Sequence, residues 1–389
     1  MPIPFDYETL RFIWWLLLGV LLIGLAVMDG FDMGAAFLNP FLGKTDDEHR
    51  AILNTVGPVW EGNQVWLITG GGAIFAAFPM VYAAAFSGFY IAMLLVLVSL
   101  ILRPVSFEFR NKFPANRRII LDCTLFLSGL IPPLVFGVAF GNLFLGVPFY
   151  LDDLRAVHYV SGAGYEGWLG GFFALLSPFG LLCGLVSVAM LASHGAVYLA
   201  VKTDGVLRAR ATKAAQWFLV LWAALFAAGG FWIGHINGYA VISNIAHDAP
   251  SNPIFKQVVR EVGVWLDNYN SHPLLYGVPL LAFISAFMSI VLLRKNRPGM
   301  AFISSGLTVA STIATAGIAL FPFLMPSSHT PAHSLTIWDA SSSRTTLWLM
   351  TLAAAIFVPI IVAYTSWVFR VLRGAVTPEY VSANSDSHY

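Results

Sequence analysis

The chain is expected to fold as an all-α polytopic membrane protein with nine transmembrane helices, its N-terminus outside and its C-terminus inside. Three observations predict this. Of its 389 residues 58% are hydrophobic and only 11% charged, with a mean hydropathy of +0.75, whereas a soluble domain of this size carries roughly a quarter charged residues. Apolar runs recur along the whole chain at about the 20 residues that one membrane crossing needs. The basic residues, finally, are distributed unevenly between alternate loops.

Taken in order, the runs place spans at 12–38, 51–78, 80–102, 119–145, 170–201, 214–236, 273–293, 300–325 and 346–369, within a single integral membrane domain over 1–389. The first has no basic n-region and no small-residue cleavage pattern, so it reads as a retained helix and not a signal peptide. Pro40 and Gly43 close it, and Thr45 with Glu48 forms a capping box that opens the second. Pro79 allows a short connection into the third. The segments after the first, third, fifth and seventh spans hold two, five, four and three Lys or Arg and the tail two, which is 16 of 21. That excess marks the inner side. Two outer segments, 146–169 and 237–272, are rich in Gly, Tyr, Trp, Asn and Pro, which suits packed structure at the membrane surface.

The most informative residues are three acids inside apolar helices. Asp29 and Asp32 lie in MDGFDMG, and Glu61 in WEGNQVW. Counted outward from Asp46, Asp32 and Glu61 are almost equidistant in an antiparallel hairpin, on the order of 15 Å inside the apolar boundary. Asp29 is one helical turn from Asp32 and can share its face. Ionisable groups at such depth are costly and mark proton, ion or substrate paths. Two readings stand side by side: a proton relay through Asp29, Asp32, Glu61, Asn63 and Gln64, or a structural polar cluster satisfied by Asn63, Gln64 and the Trp60 and Trp66 indoles. Arg103, at the inner end of the third span, serves as a snorkelling anchor or an ion-pair partner.

Other motifs carry less. Gly162, Gly164 and Gly167 spell G-x-G-x-x-G, but outside a βαβ unit, which is the setting that gives the pattern its meaning. Gly70, Gly71 and Gly72 suit close helix packing. His329 and His333 have a metal-pair spacing interrupted by Pro331. His194 and His235 are the only histidines placed to ligate a buried haem, and both are weak candidates. Cys123 and Cys183 fall in apolar runs and build neither a disulfide framework nor a metal site. No catalytic residue and no metal site are expected in this chain, and nothing points to nucleic acid. A secondary transporter or channel using the same midplane carboxylates is the competing function class, favoured by repeats with broken helices, which the sequence does not show.

The runs RFIWWLLLGVLLIGLAVMDGFDMG, GNQVWLITGGGAIFAAFPMVYAAAFSGFY, FPFLMPSS and SLTIWDASSS closely resemble subunit II of the cytochrome bd-type ubiquinol oxidases. The resemblance implies two four-helix bundles plus a peripheral helix, multi-pass in the bacterial inner membrane and paired with a subunit I of similar architecture. It further implies a complex that oxidises membrane quinol, reduces O2 to water and contributes to the proton gradient. Haem b and haem d would lie on subunit I, a small single-helix subunit could join, and this subunit has room for a structural quinone among its lipid and quinone contacts. The family's acids in G-F-D-M-G and W-[DE]-G-N-Q-V-W fall on Asp32 and Glu61 and imply a hydrophilic path towards the haems. Glu61 is one methylene longer than the Asp that members can carry there.

Overall fold

A computed structural model describes residues 3–160 and 167–377 of the chain. Thirteen α-helices dominate the described residues: α1 Tyr7–Leu42, α2 Asp46–Val56, α3 Trp60–Ala77, α4 Pro79–Gly88, α5 Tyr90–Phe109, α6 Arg118–Leu145, α7 Gly167–Leu175, α8 Pro178–Lys202, α9 Gly205–Ile233, α10 Asp267–Ser271, α11 Gly277–Arg294, α12 Pro298–Leu320 and α13 Arg344–Val371. Eight of them, α1, α5, α6, α8, α9, α11, α12 and α13, are long and apolar enough to cross a membrane.

The expected second span is where the count differs. The run 51–78 is broken after Val56: the Gly57–Pro58 turn separates the capped surface helix α2 from α3. With Glu61, Asn63, Gln64 and three consecutive glycines in its 18 residues, α3 is not among those eight. The run 80–102 also divides, at Phe89, into α4 and an α5 that continues through Pro104 to Phe109. The run 170–201 divides into α7 and α8, the latter opened by the Ser177 cap and Pro178. Helix α1 runs through Pro40 and ends at Gly43, and the Thr45–Glu48 capping box forms in both directions. Helix α12 stops at Leu320, so 323–325 is a strand and not the end of a span. Gly162 and Gly164 of the G-x-G-x-x-G pattern lie outside the described residues.

Helices α1, α3, α5 and α6 form one group and α8, α9, α11 and α12 a second, joined where α1 and α6 pack on α8. Glycine permits that junction. A methyl group on Gly34 would lie 2.1 Å from the Leu191 carbonyl oxygen, and one on Gly195 would lie 2.5 Å from the Gly34 carbonyl carbon. Backbones this close gain dispersion contacts, which lipid-facing packing must rely on because lipid supplies no hydrophobic drive between helices. Helix α6 crosses α1 antiparallel at Gly129, against Met33 and Phe37. Helix α13 is peripheral, with Leu347 its one buried residue among those described. Three antiparallel pairs cap one end: β1 Phe149–Leu151 with β2 Val157–Tyr159, β3 Asn237–Val241 with β4 Val258–Val262, and β5 Phe323–Met325 with β6 Leu335–Thr336. The β3–β4 pair aligns Asn237 with Val262 and Val241 with Val258. Beneath it, Phe144, Phe179, Tyr239, Trp265, Tyr269 and Phe323 form an aromatic layer.

Candidate functional site

The acids of α1 lie on the helix where four neighbours enclose it, which is why an otherwise apolar helix can carry them. Asp29, Gly30, Phe31, Asp32, Met33 and Gly34 are all buried. Arg103 Nη1 on α5 donates to Asp29 Oδ1 at 2.5 Å, with both side chains fully buried. Asn63 Nδ2 on α3 donates to Asp32 Oδ2 at 2.8 Å. The set is thus two carboxylates, one guanidinium and one amide. Asp29 Oδ2, Asp32 Oδ1, Arg103 Nε and Arg103 Nη2 are buried with no hydrogen-bond partner among the described residues. Buried polar atoms nearly always find partners, so four orphans in one place single this site out.

Glu61 is elsewhere. It precedes Asn63 by two positions, about 200° around the helix, so when Asn63 points to Asp32 the Glu61 side chain points away and is exposed on this chain. Gln64 is half-buried. Equal depth along the hairpin therefore does not bring Glu61 to the Asp32 carboxylate.

The two histidines considered as haem ligands stand in different settings. His194 is buried on α8, with Nδ1 2.8 Å from Ser305 Oγ and Nε2 3.0 Å from the Val27 carbonyl oxygen, and its ring stacks on Phe302. Both nitrogens are occupied by α12 and α1. His235 is exposed and donates from Nδ1 to the Phe231 carbonyl oxygen at 2.9 Å. His333 accepts from the Leu151 N–H at 3.0 Å through Nδ1, which ties it to β1. No group of three or more His, Cys, Asp or Glu among the described residues is arranged to hold a metal ion.

Several polar residues join this site that the sequence reading did not single out. Ser99, Ser106 and Arg110, the last being the cap residue of α5, are buried and recur with the Arg103 already noted at i, i+4, i+7 and i+11. That spacing is a single helical stripe and is legible in the sequence as the signal that was missed. Ser106 Oγ lies 2.6 Å from Thr124 Oγ1 of α6. Arg110 reaches Asp122 at 2.6 Å and Asp46 at 2.9 Å, and Arg118 reaches Asp46 at 2.5 Å. Burial disfavours the charge on Asp46, but the two guanidinium groups outweigh it and hold the carboxyl below its usual range. Next to them, His49 Nδ1 lies 2.9 Å from Oδ1 of the fully buried Asn39, and burial holds that imidazole below its ordinary value against the pull of Asp122. At the opposite end Arg11 is fully buried, bonding the Ser341 and Ser251 hydroxyls and the His247 and Ala249 carbonyl oxygens, and its guanidinium lies over the Tyr7 ring.

Comparison with known proteins bears on all of this. The family model for cytochrome bd terminal oxidase subunit II matches residues 10–372. The chain is 50% identical over 386 residues to the cytochrome bd-I ubiquinol oxidase subunit 2 of Escherichia coli K12, covering 99% of this chain and all of that one. It is 32% identical over 370 residues to the cytochrome bd ubiquinol oxidase subunit 2 of Bacillus subtilis, covering 95% and 97%. Among solved structures, the bd oxidase of Geobacillus thermodenitrificans has a chain that superposes with a TM-score of 0.69 at 19% identity, covering 93% of this chain and 98% of that one.

Proposed function

This chain belongs to the cytochrome bd terminal oxidase subunit II family, and we propose that within the oxidase it carries protons through Asp32. The chain is a subunit of a bacterial inner-membrane quinol oxidase, which takes electrons from quinol and reduces O2 in respiration. Haem chemistry is part of that complex. In our reading haem b and haem d sit on subunit I, in keeping with the occupied nitrogens of His194 here. We further read α3 as a ninth span beside the eight longer helices, with the N-terminus outside. A small third subunit, bound lipid and a structural quinone in this chain belong to the same proposal.

The observation that carries the proton reading is the buried Asp29–Asp32–Arg103 set, with its single cation for two carboxylates. Asp29, paired to Arg103, is the fixed member. Among the described residues the hydrogen bond to Asp32 comes from the neutral Asn63 amide, so it is the carboxyl that can gain and lose a proton without breaking an ion pair. Intramembrane acids that face a bundle interior are the usual carriers in proton paths. Glu61, exposed on this chain, would be costly against lipid, so it belongs on a face that subunit I covers. Asn63, which bonds Asp32, follows Glu61 by two positions on α3. Each O2 reduced to two waters consumes four protons. Drawing them from the inner side while quinol releases its own outside would generate a potential without a dedicated pump.

The test uses the assembled oxidase. Asp32→Asn and Glu61→Gln keep shape and hydrogen bonding, so haem content should persist while quinol-driven O2 consumption per haem falls by on the order of a hundredfold, the scale of a lost proton-transfer group. Glu61→Asp should retain much of the rate. Unchanged turnover in both Asp32→Asn and Glu61→Gln would remove the relay and leave a structural cluster, whose signature is less assembled complex after Asp32→Ala with normal turnover in what survives.

A further inference from the structure

We propose that the buried polar stripe of α5 is an internal hydrated limb that delivers protons to Asp32 from the surface bearing His49, with Asn39 as its narrow point. This rests on the proton reading of Asp32. The stripe runs Arg110, Ser106, Arg103 and Ser99, about 16 Å of helix, which takes it from the basic-rich surface to about half the depth of the hydrocarbon core. All four side chains are buried, with Arg103 against Asp29 of α1 and Ser106 and Arg110 against Thr124 and Asp122 of α6, so the limb is distinct from the exposed face that holds Glu61.

Along α1, Asn39 follows Asp32 by seven residues, two turns on the same face and about 10 Å. Both present a buried polar atom without a partner, Nδ2 of Asn39 and Oδ1 of Asp32. The residues between them on that face, Ala35 and Ala36, are small and buried. Helix α6 contributes Thr124, bonded to Ser106, and Asp122, bonded to Arg110. At the mouth, His49 is bonded to Asn39 Oδ1 and surrounded by Asp46, Glu48, Asp122 and Arg110, with Arg210 on Glu48 and Arg118 on Asp46. Orphaned buried amide and carboxyl atoms are the sites at which ordered water is held. A proton entering from bulk water at His49 moves by exchange along water and the Ser106 and Thr124 hydroxyls, each donor passing one proton forward and receiving one from behind, and ends on the Asp32 carboxylate. No electron is transferred in these steps.

The experiment compares assembled oxidase carrying Asn39→Leu, Asn39→Ser or Asp32→Asn for O2 consumption per haem in H2O and D2O. Asn39→Leu should slow turnover by on the order of tenfold and raise the solvent isotope effect, while Asn39→Ser, which can still hold water, should retain most of the rate. Unchanged turnover in Asn39→Leu overturns the limb, and so does a slowing with an unchanged isotope effect, which reports damaged packing. If Asp32→Asn is slow and Asn39→Leu is not, the relay stands and the limb falls; if neither is slow, both fall. Should Asn39→Leu fail to assemble, the Ser106→Ala/Thr124→Val pair decides by the same two readouts.

Discussion

Lys256 and Asp339 show at the scale of single residues how a buried charge can be held without being used. Lys256 Nζ lies 2.8 Å from Asp339 Oδ2 and also donates to the Pro253 carbonyl oxygen at 2.8 Å. Asp339 Oδ1 accepts from the Thr336 N–H. Burial lowers the Lys256 ammonium below its ordinary value, opposed by the carboxylate. Removing one member of such a pair leaves the other charge stranded and costs about 3–5 kcal/mol, while replacing both by apolar residues of similar volume is near neutral or stabilising. Lys256→Met alone should therefore reduce the thermal stability of the oxidase, and Lys256→Met with Asp339→Leu should restore it, as measured by the midpoint of heat inactivation. Asp29 and Arg103 leave three buried polar atoms without a hydrogen bond, whereas in the Lys256–Asp339 pair only Asp339 Oδ2 makes none, and it lies within ion-pair distance of the ammonium. That difference separates a clamp from a candidate path.

At the scale of elements, the short strands at one end are held by side chains that cross between them. His333, on the segment joining β5 to β6, accepts the Leu151 N–H of β1 through Nδ1. Burial, then Lys256 and His329, lower its pKa below the ordinary 6.5. A histidine whose folded pKa is depressed contributes stability that is complete above its unfolded value and is lost as pH falls through the folded one. The β1 contact should thus loosen only below about pH 6.5. Amide exchange at Leu151, corrected for its intrinsic pH dependence, should accelerate on acidification, and His333→Gln should abolish that pH dependence. Exchange that accelerates equally in the variant would disconnect the strand from this histidine. The larger elements need no such device, because α1, α6 and α8 meet through glycines whose backbones are in contact.

For the whole molecule, the deciding property is which face meets what. Trp217, Phe231 and Ile303 are about three-quarters exposed, a surface stable in hydrocarbon and not in water. Sixteen of the 21 Lys and Arg lie in the segments after the first, third, fifth and seventh expected spans and in the tail, while Arg11, Lys256 and Arg260 belong to the strand-cap end. With those segments inward, reporter fusions at Asn116 and at the C-terminus should behave as cytoplasmic, and a fusion near Asn252 as external. Opposite labelling at any of the three would require a different number of crossings, with α3 as the helix in question.

The class of this protein, the existence of its apolar helices, the Thr45–Glu48 cap, the pairing of Asp29 and Asp32 on one helix, and the family were all legible from the residues alone. These depend on composition and on local periodicity, which survive any arrangement of the helices. Tertiary structure decided that Arg103 meets Asp29, that Asn63 and not Glu61 meets Asp32, that both nitrogens of His194 are spent on Ser305 and Val27, and that the second and third runs break at Gly57–Pro58 and Phe89. The reason is that lipid is as apolar as a helix interface. A uniformly apolar helix carries no mark of the face it buries, so the azimuth of each acid is set only when the neighbouring helices pack around it.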